Sequence, residues 1–203
     1  MERKLMSRPW SKVQAGHAAA GWAFVFAIRG VYWALGGTAG LGTLSPEIQR
    51  AATDRDPFLF AALWITVALE LFGVVLALAL VRPPAESLPH RLPLLAGNKV
   101  PGWMLLASAW GAGTLLAGHG GLFVGFGLLG SSGPGARTSV TLWYSLFWGP
   151  WFLLGGILFM AAGWSYLRRS SDRRGAVTAS VLGALGGLAA AGAPVIASAI
   201  AQP

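Results

Sequence analysis

Two ionisable residues, Arg29 and Glu70, stand inside long apolar runs, and His119 stands in a third. A charge at bilayer depth costs about 2.5–3.5 kcal/mol on insertion scales, so each of them needs a partner or a task. A carboxyl near mid-depth can serve as a general acid or carry a proton, and a neighbouring arginine or histidine can set its protonation. Glu70, Arg29 and His119 are therefore the candidate catalytic residues. Aromatic and small residues share their faces at three- and four-residue spacing. Trp22, Phe26, Arg29, Tyr32 or Trp33 and Gly36 line up on the first run, and Thr66, Glu70, Gly73 and Ala77 on the second. On the fourth, Thr141, Tyr144, Ser145, Trp148, Phe152 and Gly155 do the same. Such faces can wall an apolar substrate site and stabilise a cationic intermediate through the ring quadrupoles. The candidate substrate-binding residues are Trp22, Phe26, Tyr32, Trp33, Thr66, Tyr144 and Trp148.

Other chemistries are excluded by what the chain lacks. With no cysteine, thiolate metal sites, disulfides and cysteine nucleophiles fall away. His17 and His119 fall at opposite ends of their runs, so no metal site is expected, and no cofactor is expected either. Gly125 and Gly127 form a Gly-x-Gly with no strand before it, which rules out a nucleotide fold. No paired aspartate motifs suited to a magnesium diphosphate occur, because Asp54 and Asp56 form only a short loop motif, and a prenyltransferase is disfavoured. The net charge of +8 sits in short loops rather than on an aromatic-interleaved stripe, so no nucleic acid partner is expected.

The elements that must position these residues are membrane helices. Only 11% of the chain is charged against 55% hydrophobic, far below the roughly 25% charged of a soluble domain. The sequence predicts an all-α helical bundle, a single membrane domain over 1–203, with five spans at about 15–37, 57–81, 102–124, 141–167 and 176–200. The basic amino terminus precedes a run too long and too diffuse for a cleaved signal, so it is read as a retained first span. Arg3, Lys4, Arg8, Lys12, Arg82, Arg91, Lys99, Arg168, Arg169, Arg173 and Arg174 fall on one side of these spans, and only Arg50, Arg55 and Arg137 on the other. Basic residues mark the cytoplasmic face, which puts the amino terminus inside, the carboxyl terminus outside and the chain in the plasma membrane.

In that frame Arg29 lies about 4.5 Å outward of the centre of its span and Glu70 about 1.5 Å inward of its own, within reach of an extended arginine. An Arg29–Glu70 ion pair joining the first two helices is expected. The third apolar region, 102–129, would be about 42 Å long as one helix, more than the roughly 30 Å of hydrocarbon. The Gly118-His119-Gly120-Gly121 run suggests that the helix ends or breaks there. The fifth span carries no aromatic or charged residue, and its Gly183 and Gly187 suit tight packing within the bundle or a homodimer contact.

At the end of the first helix, Tyr32-Trp33-Ala34-Leu35-Gly36-Gly37 followed by Gly40-Leu41-Gly42 resembles a bacterial family of small polytopic membrane proteins known only as a domain of unknown function. Tyr144, Pro150 and Leu153-Leu154-Gly155-Gly156-Ile157-Leu158-Phe159 are similar to a later segment of that family. The resemblance spans roughly 15–167 and implies a helical membrane bundle without supplying a reaction. The family often has a histidine shortly before the Tyr-Trp; here Arg29-Gly30 stands there, and no role of that histidine carries over. Three functions stay open. The first is a membrane-complex subunit or a module binding lipid or a hydrophobic small molecule. The second is an intramembrane lyase or isomerase on an isoprenoid or lipid, for example a terpene cyclase using Glu70 as general acid. The third is a proton-coupled small-solute transporter.

Overall fold

The computed structural model describes residues 12–82, 100–129 and 139–200, and among these every regular element is a helix. The order is α1 (Lys12–Ala34), a 3-10 turn (Leu41–Thr43), α2 (Pro46–Thr53), α3 (Pro57–Val81), α4 (Gly102–Leu129), α5 (Ser139–Trp143), a π-helical turn (Tyr144–Trp148), α6 (Gly149–Leu167) and α7 (Arg173–Ile200). Basic residues used to orient the chain, namely Arg3, Lys4, Arg8, Arg91, Lys99 and Arg137, lie outside the described residues. So does the 130–135 glycine-serine segment.

Local chemistry sets the helix ends. Asp56 caps α3, its Oδ1 accepting from Phe58 N at 2.7 Å and Leu59 N at 3.2 Å, with Pro57 at the first helical position where a missing N–H costs nothing. At the far end of α3, Arg169 of the α6–α7 corner reaches across. Its Nη2 donates to Leu80 O at 2.6 Å, and its Nη1 to Val81 O at 3.3 Å and Arg82 O at 3.2 Å. A cation on the last carbonyls of a helix suits their partial negative charge. Pro150 has no N–H to offer and crowds the turn before it, which accounts for the wide π turn at Tyr144–Trp148.

Packing follows small residues. α1 and α3 run antiparallel, with Gly16 against Val81, Ala23 against Gly73 and Gly30 against Val67. α4 and α6 are antiparallel through Gly113 and Gly156 and through Gly120 and Gly149. α7 lies parallel to α4, where Gly183 backs onto Ala107 and Gly187 onto Gly111, and Thr114 Oγ1 lies 3.0 Å from Ala184 O. The Gly183–Gly187 face is thus filled by α4. With α1 also against α6, the neighbours run α3, α1, α6, α4, α7 across the bundle. Trp22, Phe26, Leu80, Leu106, Phe159 and Tyr166 are among the buried core residues.

One expectation changes. The third apolar region is one unbroken helix, Gly102–Leu129, through the 118–121 run. Its glycines are contact points rather than breaks: a Cβ on Gly120 would lie 2.6 Å from Gly149 O, and one on Gly118 2.8 Å from Ala191 Cβ. Close helix approach outweighs the roughly 1 kcal/mol that each glycine costs in helix propensity. Among the described residues, three helical stretches are long and apolar enough to cross a membrane, Pro57–Val81, Ser139–Leu167 and Arg173–Pro194.

Candidate functional site

α1 ends in a chain reversal built from its own last residues. Gly36 takes φ +90°, and its N–H bonds Trp33 O at 2.9 Å while Gly37 N–H bonds Tyr32 O at 2.9 Å. Glycine is required at the left-handed position. It is also required at Gly37, where any Cβ would run into the Tyr32 ring. Tyr32 and Trp33 then hold the returning chain by one residue: Ala39 N donates to Tyr32 Oη at 3.1 Å, and Trp33 Nε1 donates to Ala39 O at 2.8 Å. The 3-10 turn and α2 follow as a lid. Trp148 Nε1 donates to Thr43 Oγ1 at 3.1 Å and Ser45 N to Tyr144 Oη at 3.4 Å, fastening the lid to the π turn. On its outer face the Glu47 carboxyl is held below its usual value, first by its own backbone N–H, then by the Ser45 hydroxyl and Arg50.

Beneath the lid is a cavity of about 320 Å³. Leu41, Leu44, Ile48 and Ala52 form its roof, Leu59, Phe60, Leu63 and Thr66 of α3 one wall, and His119 and Phe123 of α4 with Tyr144, Trp148 and Phe152 the other. Arg29 and Trp33 of α1 complete it. The walls are mostly apolar. His119 packs edge-on against Phe152, with ring centroids 4.9 Å apart, and at a tilt against Phe123, with centroids 4.3 Å apart.

Arg29 is the electrostatic centre. Its guanidinium carbon lies 3.8 Å from the Phe26 ring centre, 4.2 Å from Trp33 and 5.0 Å from Trp148, so three ring faces support the cation. Arg29 Nη2 faces Glu70 Oε1 at 3.9 Å, close enough for an ion pair and too far for a hydrogen bond. Among the described residues, Arg29 Nε and both Glu70 carboxylate oxygens are buried without a hydrogen-bond partner. Glu70 nests against Gly30, where a Cβ would lie 2.9 Å from Oε2.

The candidate residues therefore divide. Arg29, Trp33, Thr66, His119, Tyr144 and Trp148 border the cavity. Glu70 stands behind Arg29 rather than on the wall. Trp22 and Phe26 are buried in the core, Trp22 with its Nε1 donating to Trp151 O at 3.1 Å, and Phe26 under Arg29. Tyr32 is exposed and serves the turn. Sequence reasoning missed the lid and Phe123. Phe123 lies one helical turn from His119, and Ser45-Pro46-Glu47 followed by Ile48 and Ala52 on one face is a legible short amphipathic helix start. Among the described residues no group of histidines and carboxylates is arranged to hold a metal.

No curated protein and no solved structure matches the chain. A comparison with known families matches residues 23–159, more than half of the chain, to the one described as protein of unknown function, DUF3995. That match takes in Arg29, Glu70, the lid and the whole cavity wall, and leaves α7 outside. The chain belongs to the DUF3995 family.

Proposed function

We propose that the chain is a five-crossing membrane protein, amino terminus in the cytoplasm, whose lidded cavity binds an apolar small molecule in the outer leaflet. The observation that carries this reading is the cavity itself: aromatic and aliphatic walls around one guanidinium, under a lid tied down by Trp148 and Tyr144. Pockets that bury small ligands combine mostly apolar walls with a few polar groups that fix orientation. The apolar residues exposed on the outer helices, such as Ile65, Leu69 and Phe72 of α3 and Leu182, Leu185 and Leu188 of α7, support lipid as the surrounding medium. The antiparallel order of α1 against α3 and α4 against α6 supports alternating crossings, with α1 and α4 completing the five.

Binding is tested by thermal unfolding of detergent-purified protein with rising bromobenzene. A saturable rise in Tm that is lost in Ala62→Phe/Thr66→Leu, which fills the α3 wall, supports the reading; no saturable rise overturns it. Topology is tested by labelling intact cells with an impermeant maleimide, since the chain has no native cysteine. Arg50→Cys on the lid should label and Ser171→Cys only after permeabilisation, and the opposite pattern would reverse the orientation.

A second reading, an intramembrane enzyme on an isoprenoid or lipid, is favoured by the place of His119 on the wall. There it could exchange a proton with a bound molecule. Conversion of prenyl substrates by membranes containing the wild type and equally by those containing His119→Ala would end that role.

A further inference from the structure

Arg29 is the one permanently charged side chain on the cavity wall among the described residues. A guanidinium carries five N–H donors and no acceptor. Three aromatic faces support its charge, yet a ring face is a poor acceptor, and Glu70 at 3.9 Å is beyond hydrogen-bond length. Buried donors without acceptors are costly, so a molecule seated in the cavity gains by offering an oxygen to Arg29.

The charge of that oxygen follows from what surrounds it. Glu70 already stands as the counter-charge of Arg29. The other polar groups on the wall include Thr38, Thr53, Thr66, Tyr144 and His119, and the Thr66 hydroxyl is committed to Ala62 O at 2.8 Å. None of them is a second fixed cation. A phosphate or diphosphate would bring two or more negative charges to a pair that is already balanced, within apolar walls that cannot solvate the excess. An uncharged carbonyl adds no net charge and takes the Arg29 donors directly. A flat conjugated ring bearing that carbonyl also matches the rings of Phe123, Phe152, Tyr144 and Trp148 around it.

Resting on the cavity reading above, we infer that the ligand is an uncharged conjugated carbonyl compound of the quinone class, its carbonyl oxygen accepting from Arg29 and its apolar tail leaving toward the lipid. The site selects against prenyl diphosphates and fatty carboxylates of similar length.

The test measures saturable binding to detergent-purified protein by tryptophan quenching and by ligand-dependent Tm. The probes are a decyl-substituted benzoquinone, decylbenzene, decanoate and farnesyl diphosphate. The quinone should bind at least about tenfold more tightly than decylbenzene and than either anion, the loss expected for one hydrogen bond to a charged group. Arg29→Met should bring the quinone down to the affinity of decylbenzene. Because that variant leaves Glu70 buried alone, Arg29→Met/Glu70→Met is measured beside it and should show the same loss while remaining folded. Equal affinity for quinone and decylbenzene, or unchanged quinone affinity in the double variant, overturns the carbonyl assignment and leaves the cavity reading standing. Tighter binding of either anion overturns the neutral-ligand assignment. No saturable binding of any probe, decylbenzene included, overturns the cavity reading and this inference with it.

Discussion

Removing either member of the Arg29–Glu70 pair should destabilise the bundle unequally, and removing both should cost less than the sum. At 3.9 Å and an effective dielectric of about 20, the Coulomb attraction is about 4 kcal/mol. Desolvation of both groups opposes it, and neither has hydrogen bonds to offset that loss: Arg29 Nε, Glu70 Oε1 and Glu70 Oε2 are all buried without partners among the described residues. The net coupling should therefore fall to about 1–3 kcal/mol. The asymmetry comes from the rings. In Glu70→Gln the guanidinium keeps Phe26, Trp33 and Trp148 at 3.8, 4.2 and 5.0 Å, so the loss is about 1 kcal/mol. In Arg29→Met the Glu70 carboxyl, only 8% exposed, keeps nothing, and the loss is about 3 kcal/mol. The assay is equilibrium unfolding by sodium dodecyl sulfate from mild-detergent micelles for wild type, both single variants and Arg29→Met/Glu70→Gln. Additivity within about 0.5 kcal/mol would show that the two groups do not interact. A larger loss for Glu70→Gln than for Arg29→Met would refute the claim that the three rings carry the cation.

Gly30→Ala places a methyl 2.8 Å from Val67 Cγ2 and 2.9 Å from Glu70 Oε2, so it should cost about 1–3 kcal/mol in the same assay and abolish the Arg29–Glu70 coupling. Gly36→Ala forces a side chain to φ +90° and should lower stability by about 1 kcal/mol, whereas Arg55→Gly relieves a φ of +54° after α2 and should raise it by a few tenths to about 1 kcal/mol. Gly187→Leu meets the Gly111 carbonyl and should separate α7 from α4, read as new protease cleavage near residues 168–175 with the α1–α6 fragment still folded. Asp56→Ala removes the cap that accepts from Phe58 N and Leu59 N and should cost about 1 kcal/mol.

Helix positions were legible because the segments are long and apolar, and Asp56-Pro57 and Arg168-Arg169 marked their ends. The glycines of 118–121 were misread for a physical reason. A glycine's propensity cost is local and visible in sequence, while the Gly149 and Ala191 surfaces that repay it come from α6 and α7. Arg29 and Glu70 stood out because charge in an apolar run demands an explanation, and their pairing followed from depth alone. The lid did not stand out. Its anchors join residues far apart in the chain, Trp148 to Thr43 and Tyr144 to Ser45, and no periodicity within a segment encodes such contacts.

Trp33 binds these features into one device. Its indole N–H fixes the returning chain at Ala39, its ring lies under the Arg29 guanidinium, and it packs against Trp148, whose own N–H holds Thr43 of the lid. The charge at the cavity floor and the roof above it are thus supported by the same two tryptophans. Any movement of the lid that shifts Trp148 also shifts the rings that hold Arg29. The Tyr-Trp-Ala-Leu-Gly-Gly motif, which reads in sequence as little more than an apolar helix end, is in the fold the joint between the lid and the charge. Gly36 and Gly37 let the chain turn, Tyr32 and Trp33 grip it after the turn, and Trp33 couples that grip to the site.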